Sequence, residues 1–133
     1  MRKYDNFCNA LYNLKDIYNY EEPYNNVIIT GLVGLYEICF EQSWKVMKKC
    51  LEESGYDLAS TGSPRQIIKT AYQAGMINDE DAWLRALISR NNVAHSYNIK
   101  VALDIINNTK DVYFKMFNEL KEELEKNWIV TSE

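Results

Sequence analysis

The residues best suited to chemistry lie in residues 90–97, which read R-x4-H-x-Y. A histidine can take up or release a proton near neutral pH, and an arginine can hold a phosphate or a developing negative charge. His95 is the only histidine of the chain, which excludes His-pair metal sites and most multi-histidine mechanisms. Arg90 and His95 are therefore the candidate catalytic pair. The alternative is a capping histidine near a surface arginine.

Helical geometry limits how these side chains can meet. On one ideal helix, Arg90 and Tyr97 lie about 20° apart around the axis, whereas His95 lies about 140° from Arg90. Asn91 and His95 share another face through their i, i+4 spacing. Arg90 and His95 converge only if the helix ends or bends near His95, or if a second copy of the helix crosses the first. This favours a site at a helix end or at the seam of a homodimer.

The charge around this motif differs from that of the whole chain. The protein has 133 residues and a net charge of -4, which argues against its whole surface binding nucleic acid. Residues 82–103, however, contain no acidic residue, and include Arg85, Arg90, Lys100 and His95. Chance and the sorting of charges to one helix face would explain this run. The functional interpretation is a local site for an anion such as phosphate.

A second group consists of Glu37, Glu41 and Lys45, spaced i, i+4 and i+8 on one predicted helix. They could form a solvated stripe with a weak Glu–Lys pair. Alternatively, a carboxylate could face Arg90 across the molecule and fix its guanidinium, since unpaired carboxylates inside a bundle are costly. Glu37, Glu41 and Lys45, together with Asn91 and Tyr97, are the candidates for ligand binding or modification around the catalytic pair.

Several other functions are not indicated by the sequence. There is no Gly-rich phosphate loop, no H-E-x-x-H and no G-S pair followed by D-x-D, so we do not expect the chain to be a nucleotidyltransferase itself. Cys8, Cys39 and Cys50 lack metal-type spacing and are typical of reduced packing thiols in a cytoplasmic protein. We expect no metal and no cofactor. The tyrosines and tryptophans are expected in the core or an interface rather than as base-stacking platforms.

The apolar residues predict five helical segments and no convincing strand. The first carries apolar residues from Tyr4 to Tyr18, and the second spans about residues 25–54, ending at Gly55. A loop is expected at 57–62. A third, shorter helix follows from Ser63 as its N-cap, with Ile67, Ile68, Ala71 and Tyr72 on its buried face.

The remaining two segments complete the predicted architecture. Asn78 or Asp79 caps the fourth helix, which continues to about Val93, and the fifth spans about residues 99–127. Long helices joined by short polar breaks favour an all-α, antiparallel up-and-down bundle with four main helices and a shorter one, in a single domain over residues 1–133. No targeting sequence is apparent, and the longest apolar stretch is too short to span a membrane.

Residues 36–45 read Y-E-I-C-F-E-Q-S-W-K, which resembles the F-E-x-x-F-E-x-x-W-K segment of the nucleotidyltransferase substrate-binding protein family. Three further stretches match in the same order: S-P-R at 63–65, A-G-M-I at 74–77, and the segment 83–97. The resemblance covers about residues 3–128. Tyr36 stands where the family usually has phenylalanine, and Gln42 stands where leucine is common.

The resemblance implies a HEPN-class helical domain encoded near a minimal nucleotidyltransferase, often as a toxin–antitoxin pair. It first implies a nucleotide- or substrate-binding partner of that enzyme. It also implies an alternative, because in ribonuclease branches the arginine and histidine of two subunits cleave RNA without metal. In one branch the tyrosine of R-x4-H-x-Y is adenylylated by the partner. By this resemblance we expect a homodimer that binds nucleotide or RNA.

Overall fold

The structure, a computed structural model, describes residues 1–57 and 62–129. These residues form helices and no strand, which confirms the all-α prediction. The α-helices are α1 Arg2–Leu14, α2 Asn26–Glu53, α3 Pro64–Gln73, α4 Glu80–Asn92, α5 Ile99–Asn108 and α6 Phe114–Glu123. Residues 58–61, within the predicted loop, lie outside the described residues.

Shorter helical turns extend several of these helices. A 3₁₀ segment, Lys15–Asn19, follows α1, and another, Val93–His95, follows α4. A π-helical segment, Thr109–Tyr113, joins α5 directly to α6, and a second, Leu124–Trp128, follows α6. The predicted fifth helix is thus a nearly continuous rod that contains two π-helical segments.

Polar caps and glycines set the helix boundaries. Ser63 and Asp79 accept backbone N–H groups at the starts of α3 and α4, as their positions predicted, and Pro64 occupies the first turn of α3. Gly55 and Gly75 have φ values of 96° and 80° after α2 and α3. A side chain is disfavoured at such angles, so both glycines suit the turns that end these helices.

The second helix is the centre of the bundle. It contacts α1, α3, α4 and α5, while α1 also contacts α6. An aromatic group fills the core where α2, α4 and the α5–α6 rod meet, with neighbouring ring centroids 5.3–6.4 Å apart; its members are Tyr36, Phe40, Trp83, Tyr113 and Phe117. This packing fixes the position of α4 relative to α2.

The tyrosines are expected in the core or in an interface, and few of them lie in the core of the single chain. Only Tyr36 and Tyr113 are buried, and six of the ten are exposed: Tyr12, Tyr18, Tyr20, Tyr56, Tyr72 and Tyr97. Tyr72, predicted on the buried face of α3, lies in its last turn and is exposed. Helical periodicity identifies a face, but it does not show where that face leaves the core.

No helix in the described part of the chain is long and apolar enough to cross a membrane.

Candidate functional site

Arg90 lies in the last turn of α4 and faces α2. Its Nη2 donates a hydrogen bond to Glu41 Oε1 at 2.7 Å, and the two side chains are 29% and 25% exposed. The contact expected between Arg90 and one of the α2 carboxylates is therefore present, through Glu41. Glu37 is half-buried one turn earlier, Lys45 is exposed one turn later, and neither has an ion pair among the described residues.

Both oxygens of the Glu41 carboxylate are occupied. Trp44 Nε1 donates to Oε2 at 2.9 Å, so the carboxylate is fixed from its own helix while it holds Arg90. Arg90 Nη1 donates to Asn91 Oδ1 at 3.2 Å. A guanidinium has five N–H donors, so these two bonds leave others for an anion that approaches from solvent. Sequence reasoning missed this role of Trp44, although its i, i+3 spacing from Glu41 was available as a signal.

Buried hydroxyl groups attach α4 to its neighbours just before Arg90. The Tyr36 hydroxyl donates to the Ala86 carbonyl, and Ser89 Oγ lies 2.8 Å from the Tyr113 hydroxyl. Burial raises the pKa of Tyr36 well above its ordinary value; Tyr113, Cys39 and Glu41 add to the shift, while Arg90 opposes it. Tyr36 therefore stays protonated as a donor. This explains why a tyrosine suits a position where the resembled family usually has phenylalanine.

His95 lies beyond the end of α4, in the 3₁₀ turn Val93–His95, and is exposed. The helix thus ends near His95, which was one of the two arrangements that could bring it towards Arg90. Within the described residues, however, no hydrogen bond or ion pair joins these two side chains. The ring of His95 instead lies 6.4 Å from that of Tyr97, at an interplanar angle of 70°.

Tyr97 is 88% exposed, so its ring does not pack at the helix end within the single chain. The angle of about 20° between Arg90 and Tyr97 assumed a continuous helix, whereas α4 ends at Asn92. Ser96 donates to the Val93 carbonyl at 2.7 Å, and Asn98 caps α5 by accepting from the Lys100 backbone N–H at 3.0 Å. These bonds define the turn that exposes the Tyr97 side chain.

The described residues contain no group of three His, Cys, Asp or Glu side chains that could hold a metal ion. Cys39 and Cys50 are buried. Burial raises the pKa of the Cys39 thiol, and it raises that of Cys50 to about 11 with a further contribution from Glu53. These two thiols are therefore protonated at neutral pH and pack in the core, as expected.

Known proteins resemble this chain in sequence and fold. The family described as nucleotidyltransferase substrate binding protein like matches residues 2–126. A solved Thermus thermophilus structure is 25% identical, covers 90% of this chain and 99% of its own, and has a TM-score of 0.79. A Haemophilus influenzae structure, described as revealing the fold of a substrate binding domain of a nucleotidyltransferase, is 21% identical at the same TM-score, with 92% and 99% covered.

A sequence relative carries a different description. A Haemophilus influenzae protein described as a probable ribonuclease HepT is 26% identical over 82 residues, which are 60% of this chain and 56% of that protein. The match thus spans little more than half of the relative's length. The family match extends over nearly the whole chain and agrees with the motifs at residues 36–45 and 83–97. The chain belongs to the nucleotidyltransferase substrate binding protein like family.

Proposed function

We propose that this protein is the nucleotide- or substrate-binding partner of a separate, minimal nucleotidyltransferase, in a cytoplasmic pair of the toxin–antitoxin type. The observation that carries the proposal is the Arg90 guanidinium, held by Glu41 at the end of α4 and followed by the exposed His95 and Tyr97. The family to which the chain belongs supports the nature of the partner.

The role of Arg90 in this proposal is to hold a phosphate group. Glu41 fixes the direction of the guanidinium, and the donors not used by Glu41 and Asn91 remain for phosphate oxygens. Arginine is suited to this because it presents several donors in one plane and stays charged. His95 and Tyr97, in the following turn, would contact the remainder of the ligand or the nucleotidyltransferase itself.

The proposal is tested by expressing the chain with the nucleotidyltransferase encoded in the neighbouring reading frame. We expect that frame to encode a short protein with a G-S and D-x-D pattern, and the two chains to purify as a stable complex in native mass spectrometry. Arg85→Ala, on the same helix as Arg90, is the matched control for Arg90→Ala. Two chains that stay separate at micromolar concentrations would contradict the proposal.

A second candidate function is a metal-independent endoribonuclease toxin whose R-x4-H site forms across a homodimer. The 26% identical relative described as a probable ribonuclease favours it. His95 is exposed, and no hydrogen bond or ion pair joins it to Arg90 among the described residues, so a second copy could supply the missing partner at each site. Expression of this chain alone separates the two candidates, because a toxin arrests growth and a binding partner does not.

A further inference from the structure

A cavity of about 250 Å³ opens beside Trp44, on the C-terminal half of α2. It is lined by Lys3 of α1 and by five residues of α2: Trp44, Lys45, Lys48, Lys49 and Glu52. Apart from Lys45, these residues are not among the candidates for binding identified from the sequence. The cavity is next to the site described above, because Trp44 lines it and also bonds to Glu41.

The charge of this cavity is opposite to that of the protein. The chain carries a net charge of -4, yet four ammonium groups and one carboxylate line the cavity. Lys49 is paired with Glu53 at 3.7 Å, whereas the other three lysines have no ion pair within the described residues. Lysines close together repel each other, and an anion with several charges would remove that repulsion.

Trp44 supplies the second component of the cavity. Its only polar atom, Nε1, is already bonded to Glu41, so what Trp44 offers to a ligand is aromatic surface. The side chain is half-buried against the core, and the hydrogen bond further restricts it. Cationic side chains that follow a phosphate chain, together with an aromatic ring that stacks on a base, are the usual means of binding single-stranded nucleic acid.

The spacing along α2 connects this cavity to Arg90. Glu41, Trp44, Lys45 and Lys48 lie at i, i+3, i+4 and i+7, which is one face of the helix. The rise from Glu41 to Lys48 is about 10 Å. One elongated ligand could therefore contact the lysines, the indole ring and the guanidinium held by Glu41.

We propose that this lysine cavity binds the phosphate chain of a nucleotide or of a single-stranded oligonucleotide, with a base against Trp44. The inference rests on the proposed function, because it extends the Arg90 site to this cavity and names the class of ligand that both would bind. An acidic protein surface would contact only the lysines, whereas a nucleotide would contact the lysines with its phosphates and stack its base on the indole ring of Trp44. The cavity thus extends the site from one arginine to a surface that recognises both parts of a nucleotide.

The test measures binding to the full isolated chain by fluorescence anisotropy, with a fluorescein-labelled ten-nucleotide oligouridylate, and by calorimetry with ATP and inorganic triphosphate. Lys45→Gln/Lys48→Gln should weaken oligonucleotide binding by about tenfold and reduce the slope of log K against log salt by about 1.4. Lys115→Gln/Lys126→Gln changes the net charge equally on exposed residues elsewhere and should leave both values unchanged.

Substitutions of Trp44 separate base stacking from the positioning of Glu41. Trp44→Leu should weaken binding of the oligonucleotide and ATP but not of triphosphate, whereas Trp44→Phe, which also loses the bond to Glu41, should keep most of the affinity. Competition by ATP would identify a free nucleotide as the ligand, and tight oligonucleotide binding that ATP does not displace would identify a strand. Either result supports the shared chemistry.

Three outcomes would overturn the inference. In the first, none of the probes binds to the chain. In the second, the two double lysine variants lose oligonucleotide affinity equally. In the third, Lys45→Gln/Lys48→Gln weakens only the complex with the nucleotidyltransferase. The last would assign the cavity to a protein partner. Because binding is measured on the isolated chain, its failure is distinguishable from failure of the proposed function, which is judged by formation of the complex.

Discussion

Glu41 and Arg90 are 49 residues apart in sequence, and their side chains meet at 2.7 Å between Oε1 and Nη2. The pair joins the middle of α2 to the last turn of α4. The second carboxylate oxygen accepts from Trp44, so Glu41 cannot turn away from Arg90 without losing two hydrogen bonds. The position of the guanidinium is therefore set by α2 as well as by its own helix.

The first prediction concerns this pair. Glu41→Gln should lower the free energy of unfolding by about 0.5–1 kcal/mol, because both side chains are about a quarter exposed and solvent screens the ion pair. Urea denaturation monitored by circular dichroism measures the change. Glu37→Gln, one turn earlier on α2, is the matched control and should change stability less. Equal effects of the two substitutions would show that the Glu41–Arg90 contact contributes nothing specific.

The second prediction is a loss of stability at alkaline pH through Cys50. Burial raises its pKa from 9.0 to about 11, so the folded state keeps a proton that the unfolded chain releases. The contribution is fully present below pH 9.0 and is lost as the pH rises through about 11. Cys50→Ala should therefore make the free energy of unfolding fall less steeply between these values.

The control for this second prediction lies within the same experiment. Removing Sγ from a buried site leaves a cavity, which should lower stability by a similar amount at every pH. Urea denaturation at several pH values from about 7 to about 11 separates this constant offset from the slope. Parallel curves for the wild type and Cys50→Ala would contradict the raised pKa.

The sequence predicted the local features better than the tertiary contacts. Caps depend on residues within one turn: Ser63 caps α3 as predicted, and of the two residues predicted for α4, Asn78 and Asp79, it is Asp79 that caps it. For the partner of Arg90, the sequence left a choice between Glu37 and Glu41, because i, i+4 spacing does not show which of the two carboxylates faces α4. The exposed ring of Tyr97 depends on where α4 ends, which periodicity alone does not fix. The bond from Trp44 lies within one helix, but spacing alone does not show that the two side chains turn towards each other.

The third prediction is that the chain forms a homodimer whose seam includes the end of α4 and the turn after it. Tyr97 and Ile99 are exposed there, at 88% and 51%, and would be covered by a second copy. Native mass spectrometry should show a dimer at micromolar concentration. Ile99→Glu should dissociate it without unfolding the chain, since an acidic residue is favourable in the first turn of α5.

Tyr12→Glu on α1 is the matched control for the dimer, because it introduces the same charge in place of another large exposed side chain. It should leave the dimer intact. A monomer in the wild type, or a dimer with Arg90 and His95 on its outer surface, would remove the model in which two copies complete one site.

The fourth prediction applies to the ribonuclease candidate. Arg90→Ala and His95→Ala should each reduce RNA cleavage by about 100-fold or more, because histidine would transfer a proton and arginine would stabilise the negative charge on the oxygens of the phosphorane-like transition state. Helicity and the dimer should persist, and Arg85→Ala should cleave normally. Cleavage should continue in a chelator. Full activity in His95→Ala, or activity that requires a metal, would contradict the assignment.

The last prediction is that the partner nucleotidyltransferase adenylylates Tyr97. Its side chain is 88% exposed, in a turn fixed by the bond from Ser96 and the Asn98 cap, so its hydroxyl is accessible to a second active site. The oxygen would attack the α-phosphorus of ATP, form a phosphodiester and release pyrophosphate. The added nucleotide would lie beside His95, within segment 82–103, which contains no acidic residue of its own.

Such a modification would switch the site off by bulk and negative charge without unfolding the protein. Incubation with the neighbouring nucleotidyltransferase, ATP and magnesium, followed by intact mass spectrometry, should show the addition of one adenylyl group. Tyr97→Phe should abolish it. Tyr12→Phe, which removes the hydroxyl of another exposed tyrosine, should keep it. A mass increase that persists in Tyr97→Phe would place the modification elsewhere, and no increase in the wild type would rule out this form of control.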